Sequence, residues 1–231
     1  MKNKLIVLIS MLLAIYLSSC TNDNAERPKK IGTDSLKEEI IIEINKETNI
    51  LNELLEIQSE VELKEIFGAE NVSQDTIWGA EGEISMGTYL FNNTDEKVCI
   101  SWEDNEKRIN LTNASIDINW TEDYGYNPNT KWKTKQGFTI GTPLNELVKY
   151  NGKVISFFGF GWDYSGMVTS FNGGKLEKEP IGFQLGVTLG DESGYNSTEL
   201  FGDMELSSSD SKVIEAPIIV FSISVNDEYH E

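Results

Sequence analysis

The sequence predicts an α+β domain, an antiparallel sheet with two short helices packed on one face, and three observations carry that prediction. Short runs alternate apolar and polar residues, the period of half-buried strands. Two segments, Val61 to Phe67 and Leu144 to Tyr150, instead space their apolar residues as a helix face does, and Gly68 and Gly152 close them. The stretches between are rich in Asn, Asp and Gly, as in turns joining antiparallel neighbours. With 39% apolar and 10% aromatic residues, the 231-residue chain can bury a core.

Taken in order, Met1 to Lys4 is basic and Leu5 to Leu17 is an apolar run too short to span a bilayer comfortably. The run ends in Leu17-Ser18-Ser19-Cys20, a layout that resembles the lipobox of a bacterial lipoprotein signal. The resemblance implies removal of residues 1–19 as a signal peptide and acylation of the Cys20 thiol and new terminus by palmitate-type chains. It further implies a membrane anchor, since several chains on one residue hold stably at about 0.8 kcal/mol per buried methylene. An ordinary signal peptide with a coincidental cysteine is the other reading. Residues 20–35, with Pro28 and Gly32, read as a lipidated flexible tether. Thr21 stands where an inner-membrane retention signal would have Asp. Asp23 and Glu26 resemble surface-export signals of Bacteroidota lipoproteins, implying a bacterial cell envelope protein at the outer membrane.

Residues 36–231 read as a single domain. Leu36 to Ile57 reads two ways: Ile40 to Ile44 suits a strand with helical character from about Ile50, while Ile40, Ile44, Leu51, Leu54 and Leu55 also fall on one helical face. After the Val61 helix, Met86 to Phe91 and Lys97 to Trp102 form strands about the Asn92-Asn93-Thr94-Asp95 turn, and Ile109 to Trp120 alternates again. Thr121 to Asn129 is a polar loop. Thr142 is placed to cap the second helix with Pro143 at its first position, and Asn151-Gly152 stops it. Val154 to Phe160 and Met167 to Phe171 pair as a hairpin. Gly182 to Leu189, Leu200 to Leu206 and Pro217 to Val225 follow as strands, with a turn at Asp191 to Asn196. Helix and hairpin thus occur twice, in 58–120 and 137–177, and the C-terminal strands of 182–225 add edges or a lid. Stacked units of this kind would share one continuous sheet.

The Gly159-Phe160-Gly161-Trp162-Asp163-Tyr164-Ser165-Gly166 turn is the most distinctive local feature. Buried aromatics usually mean packing. The functional alternative is a contact platform, Trp162 and Tyr164 offering faces and Asp163 an orienting acceptor.

Composition narrows the chemistry. The formal charge is −19, and the first twenty residues contribute Lys2 and Lys4 but no acid, so the body is more acidic still. Phosphate backbones would be repelled, which argues against nucleic acid. Lipidation of Cys20 leaves only Cys99, a small apolar residue in a strand pattern, so no internal disulfide is available. The single histidine, His230, makes a histidine triad and a multi-histidine zinc site improbable. No phosphate loop, dinucleotide fingerprint or EF-hand is present, and no cofactor or metal is expected. Glu103, Asp104 and Glu106 could touch Ca²⁺ weakly, although a solvated turn accounts for them. Asn71, Asn110 and Asn113 head Asn-x-Ser/Thr triplets that a bacterial anchor makes poor glycosylation sites.

From Val61 to Val225 the helix, Asn-Gly stop, strand and Gly-Phe-Gly-Trp-Asp-Tyr turn resemble a family of uncharacterised Bacteroidota envelope proteins, which implies the fold unit and no activity. The helix-then-hairpin plan is similar to that of BamE and of β-lactamase inhibitor protein, both binding proteins, an analogy of fold alone. The expected function is therefore a membrane-anchored, non-catalytic binding or structural module for a protein or glycan partner. A carboxylate-dependent envelope hydrolase and an inhibitor of another envelope enzyme are the alternatives.

Overall fold

The computed structural model describes residues 49–78, 80–120, 126–127, 130–188 and 198–227. The signal segment, Cys20, the tether, the strand expected at Ile40 to Ile44 and the turn at Asp191 to Asn196 lie outside the described residues. A 3-10 turn at Leu51–Glu56 opens the body. Then come α1 (Glu60–Phe67), β1 (Val72–Trp78), β2 (Ile84–Leu90), β3 (Val98–Asp104), β4 (Ile109–Asp117) and the two-residue strands β5 (Asn119–Trp120) and β6 (Tyr126–Asn127). The second half holds α2 (Leu144–Asn151), β7 (Ser156–Phe158), β8 (Val168–Ser170), β9 (Ile181–Val187), β10 (Glu205–Ser207), α3 (Ser211–Ile214) and β11 (Ile218–Asn226).

The expected α+β class holds. Six strands form one antiparallel sheet in the order β1-β2-β3-β4-β11-β9. The last strand lies inside it: Ile223 is opposite Ile116 on one side and Phe183 on the other. Ile100, Ala114, Ile116, Val225, Ile223, Phe183 and Leu185 are buried against Leu51 and Leu54, Leu63 of α1 and Leu144 and Leu147 of α2. Residues of opposite parity show the other face. Tyr89, Cys99, Ser115, Ser224 and Gly182 stand in one row across five strands.

The chain departs from expectation at four points. The second hairpin does not extend the main sheet; β7 and β8 join β10 in a separate three-stranded sheet. The strands expected over Val154 to Phe160 and Leu200 to Leu206 shorten to β7 and β10, because Gly159 and Phe160 leave the ladder to bond Met204 and Leu200. Of the C-terminal strands, β9 edges the main sheet and β10 the small one, whereas β11 is interior to the main sheet. Thr142 does not cap α2. Its hydroxyl donates to the Thr139 carbonyl (2.7 Å) and accepts the Thr139 N–H (3.0 Å), which leaves Pro143 as the N-cap without a side-chain bond. Both glycine stops hold, with Gly152 in the left-handed conformation.

One carboxylate ties the first half together. Ser59 caps α1 by accepting the Glu62 N–H (3.2 Å), and the Glu62 carboxylate takes the Gln58 N–H (2.8 Å), a reciprocal cap. Between them Glu60 is buried, its side chain 7% exposed. It pairs with Lys64 and with Arg108 Nε, and accepts from Gln74 Nε2 of β1 and Thr88 Oγ1 of β2, both at 3.2 Å. Thr88 in turn accepts the Trp102 indole N–H (2.8 Å). Burial pushes the Glu60 carboxyl up, but the hydrogen bonds from Lys64 and Gln74 and the charges of Arg108 and Lys64 outweigh it and hold it below its ordinary 4.5.

Because the folded carboxyl ionises below its unfolded value, its stabilisation is complete above 4.5 and is lost as pH falls through the depressed folded value. Glu60→Gln should therefore cost about 2 kcal/mol at neutral pH, and urea unfolding at successively lower pH should show the gap to wild type closing.

Candidate binding site

The Gly159–Gly166 turn folds back onto the main sheet instead of projecting from it. Its glycines permit this. The Gly166 N–H donates to the Gly159 carbonyl (3.3 Å), and the Leu185 N–H of β9 donates to the Gly166 carbonyl (2.8 Å). Gly166 has φ +69°, and a Cβ there would lie 1.9 Å from the Leu185 oxygen. Gln184 Nε2 donates to the Ser165 carbonyl (2.8 Å), and Met167 bridges Gln184. The turn is thus pinned across the middle of β9's outer edge.

Two depressions flank that pin and share Gln184 and Ser222. The first, about 400 Å³, is walled by Phe160, Phe201 and Phe221 and carries Asp117, Ser165, Gln184 and Ser222 as its polar side chains. The Phe221 ring lies over Gly186, where a Cβ would sit 2.2 Å from the ring. The second, about 440 Å³, is lined by Asp163, Tyr164 and Met167 together with Ser222 and Ser224.

Of the residues the sequence singled out, Asp163 and Tyr164 line the second depression and Trp162 lines neither. Trp162 is half-buried, edge-on to Phe158 and Tyr164 at 5.2 and 5.3 Å between ring centres, and its Nε1 donates to the Gly159 carbonyl (2.9 Å). It packs the turn. Asp117, Gln184, Ser222, Phe201 and Phe221 escaped sequence reasoning. Each is a single polar or aromatic residue in an ordinary strand or loop, and only the insertion of β11 brings them together.

Asp117 also faces Tyr89 and Cys99. Burial, then the neighbouring Cys99 and the charges of Asp75 and Asp117, push the Tyr89 phenol well above its ordinary 10. Burial pushes the Cys99 thiol up as well, Asp117 adding to it, while hydrogen bonds with Tyr89 and Ser115 and the charge of Lys97 oppose the rise without cancelling it. This is the setting of an inert thiol.

The first cleft can offer a carboxylate and an amide oxygen as acceptors, a hydroxyl, and aromatic walls. Asp117 is the single carboxylate lining it. A third depression lined by Glu56 and Asp227 also holds Lys135 and Lys178. Among the described residues no three or more His, Cys, Asp or Glu are grouped to hold a metal, and no helix is long and apolar enough to cross a membrane. Asp104 serves its own turn: it accepts the Lys107 ammonium (2.7 Å) and the N–H groups of Lys107 and Glu106, while Glu103 accepts Asn110 Nδ2 (2.8 Å).

Compared with known families, curated proteins and solved structures, the chain matches no family, no curated protein and no solved structure.

Gly166→Ala should cost about 3 kcal/mol or more, because strain and collision add. Gly173→Ala, at the same backbone angle (φ +70°) with nothing within 4 Å of the new Cβ, should cost only about 1 kcal/mol; chemical denaturation of both measures the difference. Alkylation of Cys99 by iodoacetamide at pH 8 should run at least about tenfold slower in the folded protein than in guanidinium.

Proposed function

We propose that the chain is a lipid-anchored envelope protein that works as a non-catalytic binding module. Acylated Cys20 holds it at the membrane, and the cleft between the Gly161 turn and the sheet takes a protein or glycan partner. The observation that carries this reading is the cleft itself, a concavity with aromatic walls and converging Asp117, Ser222 and Gln184 groups. A turn pinned to β9 gives it a rigid wall, so little ordering entropy remains to be lost on binding.

The hydrolase alternative calls for two carboxylates facing each other across a bond to be broken. This cleft is lined by one, and nothing in its geometry favours hydrolysis. The inhibitor alternative calls for an aromatic-rich sheet face, and the face beside the cleft carries Ser115, Ser224, Cys99 and Gly182 with Tyr89 as its aromatic.

A photo-crosslinking residue in place of Ser222 should give a discrete adduct in cells, absent when the same residue replaces exposed Glu146 on α2. Asp117→Asn should remove the adduct without lowering the melting temperature. Cys20→Ser should move the protein from the membrane to the soluble fraction. Catalytic turnover that disappears in Asp117→Asn would replace the binding module with an enzyme.

A further inference from the structure

The β1–β2 hairpin is longer than the sheet it belongs to. Seven residues pair between its strands, from Val72↔Leu90 to Trp78↔Ile84, but β3 pairs only with Thr88, Tyr89 and Leu90. The outer half of the hairpin therefore extends past its neighbour as a two-stranded arm. On one face Ile77 lies across Gly87, where a Cβ would meet its Cδ1 at 2.1 Å, so the arm is packed against itself. The other face continues the parity of buried Leu90 and Thr88 and carries Met86, Ile84 and Trp78, which are 58%, 62% and 73% exposed. Together they show roughly 400 Å² of apolar surface, the size of the largest patch an ordinary monomer exposes.

The β1 edge of the arm is guarded at its middle. Thr76, in the middle of β1, gives its N–H to the Asp75 carboxylate (2.7 Å) and its carbonyl to the Tyr89 hydroxyl (3.2 Å), so a strand added alongside would have to displace both. The apolar side chains themselves stand on the open face. Its surroundings select the occupant. From Val72 to Leu90 the sequence contains Asp75, Glu81 and Glu83 and no Lys or Arg, and Glu81 and Glu83 are exposed at the tip beside Ile84. A second copy would bring the same acids against each other on a chain of net charge −19, and an anionic lipid surface would be repelled likewise.

We propose that the Trp78–Ile84–Met86 face of the hairpin arm docks a protein partner through an apolar patch rimmed by Lys or Arg. Trp78 is the anchor that fills the partner's pocket, and Glu81 and Glu83 meet its basic rim. The patch is about half of what one side of a standard interface buries, so it forms the centre of a contact whose periphery is polar. This surface belongs to different strands from the cleft at the Gly161 turn and stands or falls separately from it.

The probe is a synthetic amphipathic peptide of Leu and Lys, titrated into the intact chain and followed by anisotropy, with its Leu and Glu counterpart as the control. The Leu–Lys peptide should bind, more weakly as salt rises, and the Leu–Glu peptide should not. Trp78→Ser, Met86→Ser and the charge reversal Glu81→Lys with Glu83→Lys should each weaken binding about tenfold or more, while Asp117→Asn leaves it unchanged. All of these residues are exposed, so an unchanged melting temperature certifies the fold. Equal affinity of wild type and Trp78→Ser would overturn the proposal. So would Trp78-dependent dimerisation in sedimentation, Trp78-dependent binding to phosphatidylcholine vesicles, or displacement of the peptide by a synthetic copy of the chain's own residues 38–45.

Discussion

The main sheet is one body because its last strand lies in its middle. Strands β1 to β4 follow one another as neighbours, and 63 residues separate the end of β4 from the start of β9; nothing but β11 connects the two groups by a ladder. Val220, Ile223 and Val225 are fully buried, so β11 also supplies the centre of the core. Everything attributed to the candidate cleft depends on this insertion. Asp117 comes from β4, Ser222 from β11 and Gln184 from β9, and Ser222 sits opposite both of the others.

Glu60 plays the corresponding part for the first half. Five pieces of structure converge on its carboxylate: α1 through Lys64, β1 through Gln74, β2 through Thr88, β3 through Trp102 bound to Thr88, and the β3–β4 turn through Arg108. Its own N–H donates to the Arg108 carbonyl (3.0 Å), so backbone and side chain reinforce one contact. Buried charge of this kind adds little net stability over an apolar filling, but its geometry accepts few alternatives. It fixes where α1 crosses the hairpin and hence how far the arm beyond extends.

Much of the fold was legible in the sequence because it rests on local periodicity. The Gly68 and Gly152 stops, the β2–β3 pair, β4 and the strongly apolar β11 all follow from spacing and turn chemistry. β1 was not legible as a strand. In Val-Ser-Gln-Asp-Thr-Ile-Trp only Val72 is buried, since the arm carries the rest into solvent and the usual alternation of burial never develops. Glu60 reads as one more solvated acid in Ser-Glu-Val-Glu-Leu-Lys-Glu, because its partners Gln74, Thr88 and Arg108 are distant in sequence. The turn at Gly161 was visible as a feature, and Trp162 packs there as buried aromatics usually do, instead of serving as the platform that was the alternative. The cleft lies beside it, built from residues whose only common property is their position across strands β4, β11 and β9 and in the loops beside them.

Each outer strand of the sheet, β9 and β1, has backbone groups taken up by the protein itself. On β9 the Gly166 carbonyl takes the Leu185 N–H; on β1 the Asp75 carboxylate and the Tyr89 phenol occupy Thr76. A fibril grows by templating, each new chain reading the unpaired backbone of the last. Here the template is already occupied at Leu185 and at Thr76. A second copy approaching either margin has to strip those groups away before its backbone can pair at that point.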